Sequence, residues 1–287
     1  MTKILTANEV REFHLQKMKV QCEQLKKRGV VPFLSVMLVG DFAPSVVYTR
    51  NKKKFIESIG GKCEIVNLPK DISAEAFVKE INKSVTDKSV HGCFIQLPVP
   101  DQLKHLPLNS LIPAEKDVDG FHFNNLGMLL EGDRGEKSFL PCTPKGIMIL
   151  LKYYNIDVAK KHVVIIGRSL IVGKPLSLLL TNHDATVTLC HSKTTNITKF
   201  TKEADIIITA IGKPNFLTKE YIGNNKPVVI DVGINSTNSG KICGDVDYAE
   251  VSSLTSAITP VPGGIGPMTI LALADNLLKA TENSITK

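Results

Sequence analysis

The sequence predicts an α/β protein of two domains, and three observations carry that reading. Helix-like and strand-like segments alternate along the first half of the chain, as a parallel sheet with helices on its faces requires. A second alternating run follows a segment with the composition of a link. Finally, 287 residues suit two ordinary domains.

Taken in order, "NEVREFHLQKMKVQCEQLKKRG" has helical spacing and ends at Gly29, a C-cap residue. "VPFLSVMLVG" then reads as a buried strand, and Pro44 opens a helix that Gly60 and Gly61 close. Strand "KCEIVNLP", helix "SAEAFVKEINKSV" capped by Ser73, and strand "HGCFIQLPVP" complete a β-α-β-α-β run. The glycine- and charge-rich stretch "LEGDRGEKSFLPCTPKG" is read as loop or link. It places a first domain at 1–142, with a C-terminal helix 268–287 packing back on it, and a second at 143–267. The second run reads helix "GIMILLKYYN", strand "HVVIIG", helix "KPLSLLLTNH", then strands "TVTLC", "DIIITA" and "VVIDVG".

Composition narrows the function classes. An apolar share of 43% and charged share of 22% are those of a globular protein, and the longest apolar run is too short for a bilayer. The N-terminus lacks the pattern of a signal or transit peptide, so a cytoplasmic protein is expected. Six scattered cysteines with no C-x-x-C pair suggest neither a metal site nor a disulfide framework. A net charge of +7 suits a polyanionic partner. Absent tryptophan and the lack of a dense basic tail argue against nucleic acid and leave small polyanions.

"VIIGRSLIVGKP" is a strand, a tight turn with Gly167 and Gly173, and a helix start. Such turns let a pyrophosphate approach backbone N–H groups. Here the turn is one residue longer than G-x-G-x-x-G and lacks its middle glycine, so a strand-to-helix turn without ligand also fits. The next strand runs into His191, Ser192 and Lys193 with no carboxylate to hold a ribose 2′-hydroxyl. With Arg168 and Ser169 in the turn, this favours NADP over NAD.

In "SVVYTRNKKKFIESIG", residues four apart share a helix face. Tyr48, Lys52, Phe55 and Ile59 form one stripe, while Arg50, Lys53 and Lys54 point to solvent. Lys52 therefore sits on the apolar side, where desolvation would favour a neutral amine. A snorkelling side chain fits the same periodicity. Gln96 ends a strand in "FIQLPVP", where open α/β sheets bind ligands. "EKDVDGFH" offers Asp117 and Asp119, either to local backbone N–H groups or to a ring with adjacent amino and N–H donors, as in a pterin.

These residues, with "YTRNKKK", "KDVDGFH", "PCTPKG", "GRSLIVGKP", "VGIN", "GDVDY" and "TPVPGGIGPMT" in order, closely resemble the bifunctional methylenetetrahydrofolate dehydrogenase/methenyltetrahydrofolate cyclohydrolase family, FolD in bacteria. "ILTANEV" and "DFAPS" depart from its usual pattern without touching a chemical group. The resemblance implies a folate-binding catalytic domain and a Rossmann-like NADP-binding domain with a cleft between them, in a homodimer. It implies that Lys52 is catalytic, aided by Gln96, that Tyr48 packs on the folate and that Asp119 anchors the pterin. Leu97, Pro262, Gly263 and Gly264 would line the substrate site. Cofactor contacts would come from Thr143, Gly167, Arg168, Ser169, Ile171, Val172, His191, Ser192, Ala210, Gly212, Gly233, Ile234 and Thr269. The activity implied is NADP-dependent oxidation of 5,10-methylene-tetrahydrofolate, then hydrolysis of the methenyl product to 10-formyl-tetrahydrofolate. A dehydrogenase lacking the hydrolytic step, or a nucleotide-binding module without chemistry, are the alternatives.

Overall fold

The computed structural model describes residues 1–236 and 240–286. Residues 237–239 of the expected second domain, and the last residue of the expected helix 268–287, lie outside the described residues. In chain order the elements begin β1 (Lys3–Ile4), α1 (Ala7–Lys27), β2 (Phe33–Val39), α2 (Ala43–Ser58), β3 (Lys62–Leu68), α3 (Ala74–Thr86), β4 (Gly92–Ile95) and α4 (Phe123–Leu130). They continue α5 (Cys142–Tyr153), β5 (His162–Ile166), α6 (Gly173–Asn182), β6 (Thr186–Cys190), α7 (Ile197–Lys202), β7 (Ile206–Thr209) and β8 (Val228–Asp231). Last come β9 (Asn235–Ser236), β10 (Ile242–Cys243), α8 (Tyr248–Val251), β11 (Ala257–Ile258) and α9 (Ile265–Thr286).

The chain forms two compact units. One comprises Glu12–Met128, Gly135–Cys142 and the described residues from Ile270 onward. Its sheet is parallel, in the order β3-β2-β4, with Phe33 opposite Lys62 and Leu34 opposite Gly92. All seven residues of the central β2 are buried, which is why its sequence reads as a continuous apolar run without alternation. Met37, Val39, Leu68, Phe77, Ile81 and Ile95 form the core. Helix α3 starts where Ser73 Oγ accepts from the N–H of Ala76 at 3.2 Å. Helix α2 starts with Pro44 in its first turn, and the chain leaves it through Gly60 at φ +96°. From Ile270, α9 belongs to this unit, and its buried Asn276 donates to the carbonyls of Val118 and Leu140 at 2.8 and 3.0 Å.

The other unit comprises Met1–Arg11, Leu129–Arg134 and Thr143–Thr269. Its six strands are parallel in the order β1-β11-β8-β7-β5-β6. Successive strands leave β5 in opposite directions, β6 to one side and β7 to the other, so a crevice opens at their C-terminal ends. Val164, Ile166, Ile207, Val229 and Ile258 are among its core residues. Strands β9 and β10 form a separate antiparallel pair.

Several features differ from the sequence reading, and one is that Leu129–Arg134, expected in the first domain, clusters with the six-stranded unit. Residues 1–11 cluster with the six-stranded unit, because β1 pairs with β11, Lys3 opposite Ala257. Helix α5 begins at Cys142, inside the stretch read as link, because the proline at its third position suits a first turn. Helix α9 likewise begins at Ile265, just after Gly264. No described helix is long and apolar enough to cross a membrane.

Candidate active site and cofactor pocket

In the three-stranded unit, helix α2 and the end of β4 bring Lys52 and Gln96 together. Gln96 still donates its backbone N–H to Met37 O at 2.9 Å, so its side chain is held at the C-terminal end of the sheet. Lys52 is 5% exposed, and its Nζ donates to Gln96 Oε1 at 3.1 Å. The ammonium lies 3.9 Å from the centroid of the Phe94 ring and 5.0 Å from that of Tyr48. Burial holds the Lys52 pKa below the usual lysine range, and the charge of Asp119 pulls it partly back. The neighbouring cations separate by helical phase: Arg50 and Lys54 are exposed, and Lys53 pairs with Glu57 at 3.7 Å across one turn. Leu97, beside Gln96, is exposed.

The two aspartates divide. Asp117 is buried and accepts from the backbone N–H of Gly120 (3.1 Å), that of His122 (2.6 Å) and Asn125 Nδ2 (2.9 Å). Burial nevertheless pushes its pKa up to about 6. It organises the turn. Asp119 is half-buried, and its carboxylate has no hydrogen-bond partner among the described residues. The segment reaches the sheet because Cys93 bridges Asp117 and donates to Lys116 O at 2.8 Å, running it along β4.

In the six-stranded unit, a cavity of about 690 Å³ lies at the ends of β5, β6 and β7. Its lining includes Gly167, Arg168, His191, Ser192, Ala210 and Lys213. Gly167 has φ +129°, and a Cβ there would collide with the carbonyl of Ala210. Only glycine fits that turn. The lining holds no carboxylate while presenting Arg168 and Lys213, so the wall favours an anion. His191 Nδ1 accepts from the N–H of Lys193 at 3.1 Å, which leaves Nε2 to carry the ring proton.

Both parts of the chain have counterparts in known proteins. The chain matches the tetrahydrofolate dehydrogenase/cyclohydrolase catalytic domain over residues 5–119 and the NAD(P)-binding domain of the same family over residues 141–285. The chain belongs to the tetrahydrofolate dehydrogenase/cyclohydrolase family. It is 47% identical over 262 residues to a bifunctional protein FolD of Lysinibacillus sphaericus, covering 91% of each chain. The solved bifunctional FolD of Campylobacter jejuni superimposes with a TM-score of 0.95 at 43% identity, covering 99% of each. A Trypanosoma brucei FolD, solved with NADP cofactor and inhibitor, gives 0.93 at 31% identity, covering 100% of this chain and 99% of its own.

In this chain, the expected residues fall into two sets. Tyr48, Lys52, Gln96, Leu97 and Asp119 belong to the three-stranded unit, whereas Pro262, Gly263 and Gly264 belong to the six-stranded one. Of the expected cofactor residues, Gly167, Arg168, His191, Ser192 and Ala210 line the cavity. Ser169 lies off the cavity lining, its hydroxyl accepting from the N–H of Val172 at 3.1 Å ahead of α6. Ile171 is exposed and Val172 buried in the same turn. Thr143 and Thr269 share a hydroxyl contact of 3.2 Å, and Ile234 is exposed. Gly212 and Gly233 donate their N–H groups to Asp245 and Asp231.

Sequence reasoning missed Thr194, Asn196, Thr198 and Lys213 in the cavity wall. For the first three the signal was present as "HSKTTNIT", a polar loop directly after a strand of the nucleotide sheet, whereas Lys213 lies in the separate loop after β7. It also missed Asp231 and Asp245, which accept from backbone N–H groups 14 to 34 residues away in sequence.

Proposed function

We propose that this chain carries out two consecutive reactions: NADP-linked oxidation of 5,10-methylene-tetrahydrofolate, and hydrolysis of the resulting 5,10-methenyl-tetrahydrofolate to 10-formyl-tetrahydrofolate. The observation that carries this reading is the buried Lys52 held by Gln96 at 3.1 Å.

The cavity beside Gly167 suits NADP, with close backbone approach at the glycine and Arg168, Ser192 and Lys213 available to a 2′-phosphate. NADP, when bound, supplies the hydride acceptor for the one-carbon bridge. The chain's own share of that reaction is alignment. Tyr48 offers an aromatic face to the folate, and the free carboxylate of Asp119 offers two acceptors to the pterin's adjacent N–H groups.

Hydrolysis needs proton transfers near neutral pH. Lys52, with its depressed pKa, takes a proton from the water that adds to the methenyl carbon. The bond from that carbon to N5 then breaks, the lysine ammonium returns its proton to N5, and the hydroxyl proton leaves as the formyl carbonyl forms. One proton is released overall. Gln96 accepts from Nζ and aims the amine. The cationic substrate lowers the lysine's pKa further. A dehydrogenase without the hydrolytic step would have no use for this pair.

By the same resemblance the chain is proposed to work in the cytoplasm as a homodimer, which sedimentation would test. The deciding assay mixes protein with methylene-tetrahydrofolate and NADP, then NAD, and follows methenyl formation and decay. Lys52→Met should abolish methenyl decay and leave NADP-linked formation measurable; full hydrolysis in that variant would overturn the assignment. No folate-dependent NADPH formation by the unaltered protein would favour a binding module instead.

A further inference from the structure

The segment after β7 forms part of the cavity wall through Ile211 and Lys213, and it has no regular ladder to hold it. Its backbone converges on one side chain. Asp245 Oδ2 accepts from the N–H groups of Ile211 (2.7 Å) and Gly212 (3.2 Å), and Oδ1 accepts from the N–H of Lys213 (2.8 Å) and from Asn235 Nδ2 (2.9 Å). Asp245 is fully buried and forms no salt bridge among the described residues. Its charge is therefore balanced by oriented N–H dipoles, which ties the position of the carboxylate to the conformation of the loop.

A second acid sets the first. Asp231, also buried, accepts at Oδ1 from the N–H groups of Gly233 and Asp245, each at 3.0 Å, and at Oδ2 from that of Val246 at 2.9 Å. Burial pushes its pKa up to about 6. The glycines of "VGIN" and "GDVDY" make room for this tier: a Cβ on Gly233 would collide with the Asp245 carboxylate, and one on Gly244 with that of Asp231. These glycines are required by packed carboxylates whether or not a ligand is bound.

We infer that Asp245 is a positioning residue for dinucleotide binding, fixing the 211–213 wall of the cavity, with Asp231 holding Asp245 in place. This rests on the NADP part of the proposed function. It adds a specificity device in which a buried anion, itself out of the lining, presents Lys213 and Ile211 to the cofactor.

The test compares the unaltered full chain with Asp245→Asn and Asn235→Ala. Asp245→Asn keeps the shape but turns one acceptor into a donor facing N–H groups, and should weaken NADP binding about tenfold or more by calorimetry. Without any dinucleotide, amide hydrogen exchange at residues 211–213 should quicken by about the same factor, while amides in the core of β5 and β7 keep their protection. Hydrolysis of methenyl-tetrahydrofolate, assayed without dinucleotide, should fall much less than NADP affinity does. Asn235→Ala, which removes one donor and leaves the acid, should give a smaller change in the same two readouts, and it serves if the first variant folds poorly. Unchanged NADP affinity in both variants would overturn the inference, as would parallel loss of NADP binding, hydrolysis and core protection, which would mark general unfolding. If the unaltered chain itself fails to bind NADP, the cofactor reading fails, and the positioning role falls with it.

Discussion

Nζ of Lys52 lies 3.1 Å from Oε1 of Gln96, and Nε2 of the same amide donates to Leu97 O at 2.8 Å. The second bond fixes the first, because flipping the amide would set a donor against the ammonium and an oxygen against a carbonyl. Gln96→Glu would place a negative charge at this position and raise the lysine's pKa. The pH–rate profile for methenyl hydrolysis should then shift upward by about one unit or more. A profile that stays in place would remove Gln96 from the tuning of Lys52.

Lys52 should also cost the fold stability at neutral pH. Its folded pKa is depressed, so between that value and the unfolded value the unfolded chain binds more protons, and stability rises with pH. Lys52→Met should therefore melt at or above the temperature of the unaltered protein at pH 7, and the gap should narrow as pH rises toward 10. Calorimetric scans across that range decide it; a gap that widens would contradict the buried, destabilised ammonium. Lys54→Ala, on the exposed face, should leave both the melting temperature and the two activities nearly as they were.

The aspartates of "KDVDGFH" should separate by assay. Asp119→Ala should raise the KM for folate by about tenfold or more, with melting little changed, since its carboxylate holds no partner among the described residues. Asp117→Ala strips acceptors from the buried N–H of Gly120, the part-buried N–H of His122 and Asn125 Nδ2, and should lower stability by about 2–4 kcal/mol. Steady-state kinetics beside thermal melts on the two variants provide the comparison.

Asp117 and Asp231 further predict an unusual acid limb. Both have folded pKa values raised to about 6, so the folded state binds more protons than the unfolded one between the ordinary carboxylate range and pH 6. Their contribution to stability is full below that window and is lost as pH rises through 6. Changing Asp231 to Asn should flatten the pH dependence of the melting temperature between pH 4 and 7, measured against the unaltered protein.

On the proposed reading, Arg168→Ala should raise the KM for NADP by about ten- to a hundredfold and leave that for NAD within about threefold, because a guanidinium on the cavity wall would pair with a 2′-phosphate that NAD lacks. Equal losses with both dinucleotides would assign Arg168 a general packing role.

What was legible in the sequence was what is periodic or local. Lys52 stood out by helical phase, since residues four apart share a face, and Gly167 by its place between a strand and a helix. The choice between Asp117 and Asp119 was not legible, because local spacing allows either to cap the turn, and only the fold shows which carboxylate is spent. Strands β1 and β11 are two residues each and carry no alternation to read. Asp245 was invisible as a positioning group, since its backbone donors lie 32 to 34 residues away.

The two units are interwoven along the chain, and this orders their assembly. Strand β4, which Gln96 follows, and the turn carrying Asp119 are made early, yet Asn276, which bonds the carbonyls of Val118 and Leu140 beside that turn, is made after the whole nucleotide sheet. Residues 1–11, made first, join a sheet whose adjoining strand β11 appears only at Ala257. During synthesis, then, the six-stranded unit receives the first residues and the three-stranded unit the last, and neither compact unit is encoded by one uninterrupted stretch of the chain.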